Sequence, residues 1–301
     1  MHHTLTRFDS HNLSNSYLTK EEIRSRCPVA FTQIPTRSAV SDKYVLMSSE
    51  QVIDDLEKLG WKVVEAKQRK PSRKLAEEGK VSQFSYHQIW FQNPDISITR
   101  TDKDGQEVID CYPRIVLQNS ADGLSRLKFG CGLYRLVCSN GLVISDLKLA
   151  EFSVQHINYT FEYVKKLIQE IVAELPRQVE QINEMQHVQL SFEQKLDFAK
   201  EALKIRKGLK EEDDLKVDEE TLTDMLTPVR DEDKGDDLWK VYNVLQEKVV
   251  KGGFSVAKDE KSRARKVREV KSFISSFKMS RDLDSIARNY LPVKEVEPVA
   301  A

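Results

Sequence analysis

The chain has 301 residues, a formal net charge of −1 and charged side chains at 32% of positions. That length can bury a sizeable core in one or two domains without a disulfide or metal staple. Near-zero net charge excludes a general nucleic-acid coat, yet leaves room for one basic element to track a phosphate backbone. The cysteines (Cys27, Cys111, Cys131 and Cys138) form no Cys-x-x-Cys pair, which fits a reducing compartment. No run approaches the roughly 18 apolar residues of a membrane span, and no signal segment is expected at the amino terminus, which lacks a basic-plus-apolar pattern. A cytoplasmic protein with no membrane partner is expected.

Residues 1–43 read as an irregular arm broken by Pro28 and Pro35, with one short helix at 19–26. Ser48 or Ser49 then caps a helix whose Val52, Ile53, Leu56 and Leu59 recur at helical spacing until Gly60 stops it. Trp61, Val63 and Val64 open a strand that runs into a basic stretch. The runs 84–91, 96–100, 107–117, 124–129, 133–138 and 142–144 alternate with Asp104-Gly105, Asp122-Gly123 and Asn140-Gly141, dipeptides suited to hairpins. Residues 44–155 are therefore expected to form an α+β domain around an antiparallel β-meander of about five strands. Leu127, Phe129, Cys131 and Leu133 should share one sheet face, with Lys128 and Tyr134 on the other.

From Ile157 the period becomes helical: Ile157, Phe161, Val164, Ile168, Ile171 and Leu175 step by threes and fours. Pro176 should kink or restart this helix, and Val179, Ile182 and Met185 continue the stripe. Ser191 and Gln194 make a capping box for a helix at 191–207. Region 156–207 packs on the sheet or in an oligomer. Residues 208–236 read as an acidic linker. Beyond it, 237–293 reads as a helical basic region, with Leu238, Val241, Leu245 and Val249 on one side of a helix at 237–251 and Gly252-Gly253 as its stop. A further helix at 262–277 should carry cations on one side and Phe273, Ile274 and Phe277 on the other. The expected class is α+β, with a long-helix carboxyl-terminal half.

Gly130-Cys131-Gly132 resembles the start of a dinucleotide fingerprint, but Arg135 stands where the third glycine belongs and no helix follows. A twist or bulge in the sheet accounts for the glycines better. No G-x-x-x-x-G-K-[ST] loop is present, and His87, His156 and His187 lie on separate elements without zinc-ligand spacing. No catalytic, metal or cofactor-binding residue is nominated and no cofactor is expected, although a site assembled from distant residues stays open.

Two basic clusters point to phosphate: Lys67, Arg69, Lys70, Arg73 and Lys74 between strands, and Arg263, Arg265, Lys266 and Arg268 near the carboxyl end. An aromatic run, Phe84, Tyr86, Trp90 and Phe91, adds rings on which bases could stack. Each feature has a plainer reading. The aromatics can be core beneath a helix, and the basic end can neutralise the carboxylates between Glu211 and Asp237. Arg135, among Leu133, Tyr134, Leu136 and Val137, either pairs with a carboxylate or faces phosphate from an exposed sheet face.

The stretch Gln118-Asn119-Ser120, Asp122-Gly123, Gly130-x-Gly132 and Leu133-Tyr134-Arg135-Leu136-Val137-Cys138-Ser139-Asn140-Gly141-Leu142 resembles the signature of the domain of unknown function 932 family, the phage- and plasmid-like proteins. Leu226-Thr227-Pro228-Val229-Arg230, Asp236-Asp237-Leu238-Trp239 and the run from Asn243 to Gly252-Gly253 look like its carboxyl-terminal motif. The resemblance implies a mobile-element protein working in a bacterial host, and brings no catalytic residues with it. The leading expectation is a non-enzymatic accessory protein that binds nucleic acid, with single-stranded DNA binding or annealing as the specific form and a homo-oligomer as one possible state. Two alternatives stand beside it: an interaction protein that modulates a host protein, and an enzyme acting on nucleic acid or nucleotides.

Overall fold

The computed structural model describes residues 3–7, 17–32, 48–68, 86–101, 104–120, 127–135, 142–144, 152–154, 160–210, 212–256, 264–270 and 273–292. The chain divides into two compact units, one of residues 4–137 and 146–177, the other of residues 1–3, 138–145 and 178–301.

The first unit is built on an antiparallel sheet. Its strands are β1 (His3–Arg7), β2 (Lys62–Gln68), β3 (His87–Gln92), β4 (Ile96–Thr101), β5 (Glu107–Asn119) and β6 (Leu127–Arg135). A short β7 (Leu142–Ile144) belongs to the other unit, and β8 (Phe152–Val154) pairs with the start of β6. The 13-residue β5 organises the sheet. Along one edge it pairs with β3 through Arg114–Asn119 and with β4 through Glu107–Cys111, while its other edge carries β6 through Cys111–Gln118. The α+β class and the meander expected from the turn pairs are therefore present, and Gly105 turns at φ +80 between β4 and β5. One expectation changes. Gly130 and Gly132 pair in register with Val116 and Arg114 inside a single strand, so the runs 124–129 and 133–138 are not separated by a bulge. A ladder uses only backbone groups, and the long partner strand supplies them without interruption.

Side-chain alternation assigns the two faces of this sheet. Ile89, Phe91, Ile115, Leu117, Leu127, Phe129 and Cys131 join one buried apolar cluster. Helix α1 (Lys20–Arg26) and helix α2 (Ser49–Lys58) cover it with Ile23, Val52, Ile53 and Leu56, and the first half of α3 (Phe161–His187) adds Val164, Leu167, Ile168 and Ile171. The first half of the α3 stripe thus packs on its own sheet. Thr19 and Glu22 close a capping box on α1, and Leu18, Cys27, Val29, Ala30 and Phe31 belong to the same core. Residues 18–31 are accordingly a structural part of the unit, where composition alone suggested an arm. Trp90 and Tyr86 take the opposite parity to Phe91, so Trp90 is buried, as the core reading expects, but outside the cluster that α1 and α2 cover; Phe84 lies outside the described residues.

In the second unit α4 (Phe192–Lys207) starts at the expected Ser191–Gln194 capping box and ends on Gly208 at φ +69. Helix α5 (Glu219–Leu226) lies inside the segment read as a linker, where Leu215, Leu222 and Met225 are buried. Its apolar residues fold it into the unit and its carboxylates find local cations: Lys234 with Asp231, Lys195 with Asp236, Lys240 with Asp237. Helix α6 (Leu238–Lys251) is capped by the Asp237 side chain and buries Leu238, Val241, Leu245 and Val249. On its other flank Asn243 Nδ2 donates to the Trp239 carbonyl at 2.7 Å and Gln246 Nε2 to Ser280 Oγ at 3.2 Å. Gln246 thus serves a buried contact with α7 (Phe273–Arg288), while the Asn243 amide bonds back within its own helix. Pro176 does not end α3, which runs through it, and the boundary between units falls just beyond at 177/178. No helix among the described residues is long and apolar enough to cross a membrane.

Candidate nucleic-acid interface

The last carbonyls of a helix need partners beyond its own ladder, and at the end of α6 these come from Gly252, from Arg206 of α4 and from the basic segment. Gly252 N–H donates to the Lys248 carbonyl at 2.9 Å, and Val270 N–H to the Val250 carbonyl at 2.8 Å. Arg206 Nη1 donates to the Val249 carbonyl at 3.0 Å, and Arg206 Nη2 to the Arg268 carbonyl. Gly253 N–H then bonds the Val267 carbonyl at 3.0 Å and Val267 N–H the Phe254 carbonyl at 2.8 Å. Strands β9 (Ser255–Val256) and β10 (Arg265–Lys266) extend this into an antiparallel pair. The helix expected at 262–277 is therefore replaced by an extended segment, with α7 starting at Phe273. Tertiary hydrogen bonds to the helix end outweigh a modest local helix preference.

Gly252 makes this docking possible. It sits at φ +73, and a Cβ there would lie 2.3 Å from the Val267 carbonyl oxygen. Gly252 brings one backbone hard against another, which only glycine permits.

The consequence is a cationic hollow. Lys251, Arg265, Lys266 and Arg268 line an open depression of about 900 Å³ with Gly253, Val267 and a single carboxylate, Glu269. Arg265, Lys266 and Arg268 are exposed and make no ion pair among the described residues. Among the described residues no carboxylate of the acidic stretch forms an ion pair with them, and Asp231, Asp233, Asp236 and Asp237 are held by Lys234, Arg230, Lys195 and Lys240. Position at a helix carboxyl end also favours cations, through the partial negative charge of the helix dipole. Lys251 was missed in the sequence because it reads as the last residue of an apolar helix; its place beside Arg265 is purely tertiary.

The other nominated residues divide. Lys67, on β2, pairs with Glu65 and lies 5.1 Å over the Trp90 ring. Arg69, Lys70, Arg73, Lys74 and Arg263 lie outside the described residues. Arg135 is withdrawn from the phosphate-facing set: it is buried, and its Nε donates to Asp110 Oδ1 at 3.1 Å, beside Arg100 Nε at 3.3 Å. A register shift between Ile98 and Thr99 leaves Asp110 as the extra residue of a bulge, opposite neither. Of the two readings of Arg135, the carboxylate pair is the one realised.

The family described as domain of unknown function (DUF932) matches residues 37–273. The chain belongs to this family. It is 29% identical over 272 residues to the UPF0380 protein YafZ of Escherichia coli (strain K12), covering 88% of this chain and 90% of that protein. It is 28% identical over 291 residues to the UPF0380 protein YfjQ of the same organism, covering 95% of this chain and 97% of that one. No solved structure matches it. Within the matched range of this DUF932 chain, Gly252-Gly253 is the point where the basic segment docks on α6, and Arg230 is a structural residue. Its two Nη atoms donate to the Glu247 carboxylate at 2.7 Å each, with Asp233 at 3.2 Å.

Proposed function

We propose that the protein binds the phosphate backbone of nucleic acid through the depression at the end of α6, with Arg265, Lys266 and Arg268 as the principal contacts and Lys251 beside them. One observation carries the reading: Arg265, Lys266 and Arg268 are exposed on a segment fixed by backbone hydrogen bonds and have no carboxylate partner among the described residues, around a hollow with one acidic residue. Extended chain presents Arg265, Lys266 and Arg268 at strand spacing, which follows a polyanion better than a scattered set does. Single-stranded DNA is the proposed ligand and annealing the proposed consequence, in the setting of a mobile-element accessory protein in bacterial cytoplasm. The Lys67–Trp90 pair lies in the other unit and has no part in this site.

The reading is tested by fluorescence anisotropy of a labelled single-stranded oligonucleotide at low and moderate salt, with duplex DNA as comparator. Salt-sensitive binding that prefers the single strand is expected. No binding at micromolar protein removes the proposal and gives precedence to the reading in which the protein engages a host protein.

A further inference from the structure

The turn between α5 and α6 holds a second depression, wholly within the helical unit and sharing no residue with the basic hollow. Its floor is apolar, made by Leu226 and Pro228 with Val241 and Val244 of α6, and its rim is Lys195 of α4 and residues 233–236. Its walls are fixed from several sides. Arg230 clamps the turn to Glu247 at 2.7 Å and Asp233 at 3.2 Å, and Lys195 Nζ donates to Asp236 Oδ1 at 2.6 Å. Leu190 N–H donates to the Asp236 carbonyl at 2.9 Å, and Leu238 N–H to the Val188 carbonyl at 2.8 Å. The shape therefore exists before any partner arrives, and little ordering cost is left to binding.

Exposed apolar side chains stand at its edge. Phe192, the first residue of α4, is placed by the Ser191–Gln194 capping box, is 51% exposed and has the Lys195 ammonium 5.8 Å over its ring. Val229, next to Pro228 in the chain, is 68% exposed. Single exposed apolar residues are ordinary. A pair flanking an apolar hollow on a pinned turn is the pattern of an anchor site, where one large side chain is buried and its surroundings exclude water. The size agrees: about 250 Å³ is below the roughly 300–1,000 Å³ of small-molecule pockets and suits a single aromatic or branched side chain.

The charge around the depression selects its occupant. Between Asp218 and Asp237 only Arg230 and Lys234 are cationic, and both are paired with carboxylates of the same segment. Asp224 and Glu232 are exposed and make no ion pair among the described residues. Nucleic acid is repelled by such a rim, and a second copy docked through the same face would set two acidic rims against each other. A cationic polypeptide is attracted.

We infer that this depression docks a basic segment of a partner protein. One aromatic or large aliphatic side chain of the partner enters between Phe192 and Val229, and lysines or arginines on either side of it face the carboxylates of α5 and the turn. The inference stands apart from the nucleic-acid reading, and either can fail without the other.

The test is fluorescence anisotropy of the full chain against labelled peptides Lys-Lys-X-Lys-Lys, with X tryptophan, leucine or alanine, and Glu-Glu-Trp-Glu-Glu as comparator. Saturable binding of the tryptophan and leucine peptides is expected, about tenfold or more tighter than the alanine peptide, with no binding of the acidic one. Phe192→Ser/Val229→Ser should weaken the tryptophan peptide about tenfold. Its urea midpoint and its affinity for single-stranded DNA should match wild type, because both side chains are exposed and lie outside the basic hollow. No binding of any peptide, equal affinity for the tryptophan and alanine peptides, or undiminished binding by the variant overturns the inference. A dimer seen by sedimentation velocity in wild type and abolished in the variant also overturns it, and assigns the face to a second copy.

Discussion

Arg230 shows how much one side chain can hold. It bridges Glu247 and Asp233, a carboxylate only 2% exposed, so removing it leaves two largely buried negative charges facing each other. Breaking such a pair from one side costs about 3 kcal/mol. Arg230→Ala should therefore lower the urea midpoint markedly, and Arg230→Lys should recover little, because an ammonium cannot span both Glu247 oxygens. The thiols give a pH dependence. Burial pushes Cys27 and Cys131 up from the ordinary 9.0 to about 12. Between those values the unfolded chain has lost the thiol protons while the folded chain keeps them, so ionisation favours unfolding. Stability is whole below pH 9 and should decline as pH rises toward 12. Denaturation at pH 8 and pH 10 should show the loss, and Cys27→Ala/Cys131→Ala should flatten the slope even though its stability at pH 8 is lower. At this scale the sequence is a partial guide. Arg135 was legible as a residue needing a carboxylate, but its partner Asp110 is 25 positions away and reaches it through a bulge that nothing local announces.

Elements whose ends are set by adjacent residues were readable; elements set by distant backbone were not. The Ser191–Gln194 box and the Gly252 stop are local chemistry, and both appear where the sequence places them. The segment after them is different. Its cations and valines look helical in isolation, yet Val267 and Val270 bond the α6 end and the double glycine instead. The strand glycines show the converse error, since glycine in a strand signals a bulge or merely an absent side chain, and here the register is unbroken. Gly252 and Gly253 separate strain from collision. Alanine at 252 meets the Val267 backbone at 2.3 Å, whereas alanine at 253 finds nothing within 4 Å and carries only the strain of φ +89. Gly252→Ala should cost about 3 kcal/mol and release the basic segment, while Gly253→Ala should cost about 1 kcal/mol. Amide hydrogen exchange at Val267 and Val270 reads the difference: rapid exchange is expected in the first variant and near-native protection in the second.

At the scale of the whole molecule, the α+β class and the meander were legible because periodicity and turn pairs are repeated along the chain. The division into units was not, because a single helix, α3, contributes to both. The acidic segment 208–236 misled for a similar reason: its charge suggests a solvated tether, while Leu215, Leu222 and Met225 bind it to the helical unit. That placement bears on function, since the carboxylates paired within the helical unit are not spent on Arg265, Lys266 and Arg268. Charge reversal at those positions therefore separates binding from folding. The most direct measurement is the salt dependence of single-stranded oligonucleotide affinity for wild type and Arg265→Glu/Lys266→Glu, with urea midpoints measured in parallel. The account predicts an affinity that falls steeply with salt in wild type, a loss of about tenfold or more and a shallower slope in the variant, and matching urea midpoints. A destabilised variant that still binds with the wild-type affinity and slope would contradict it, and would assign the basic segment to the protein's own fold.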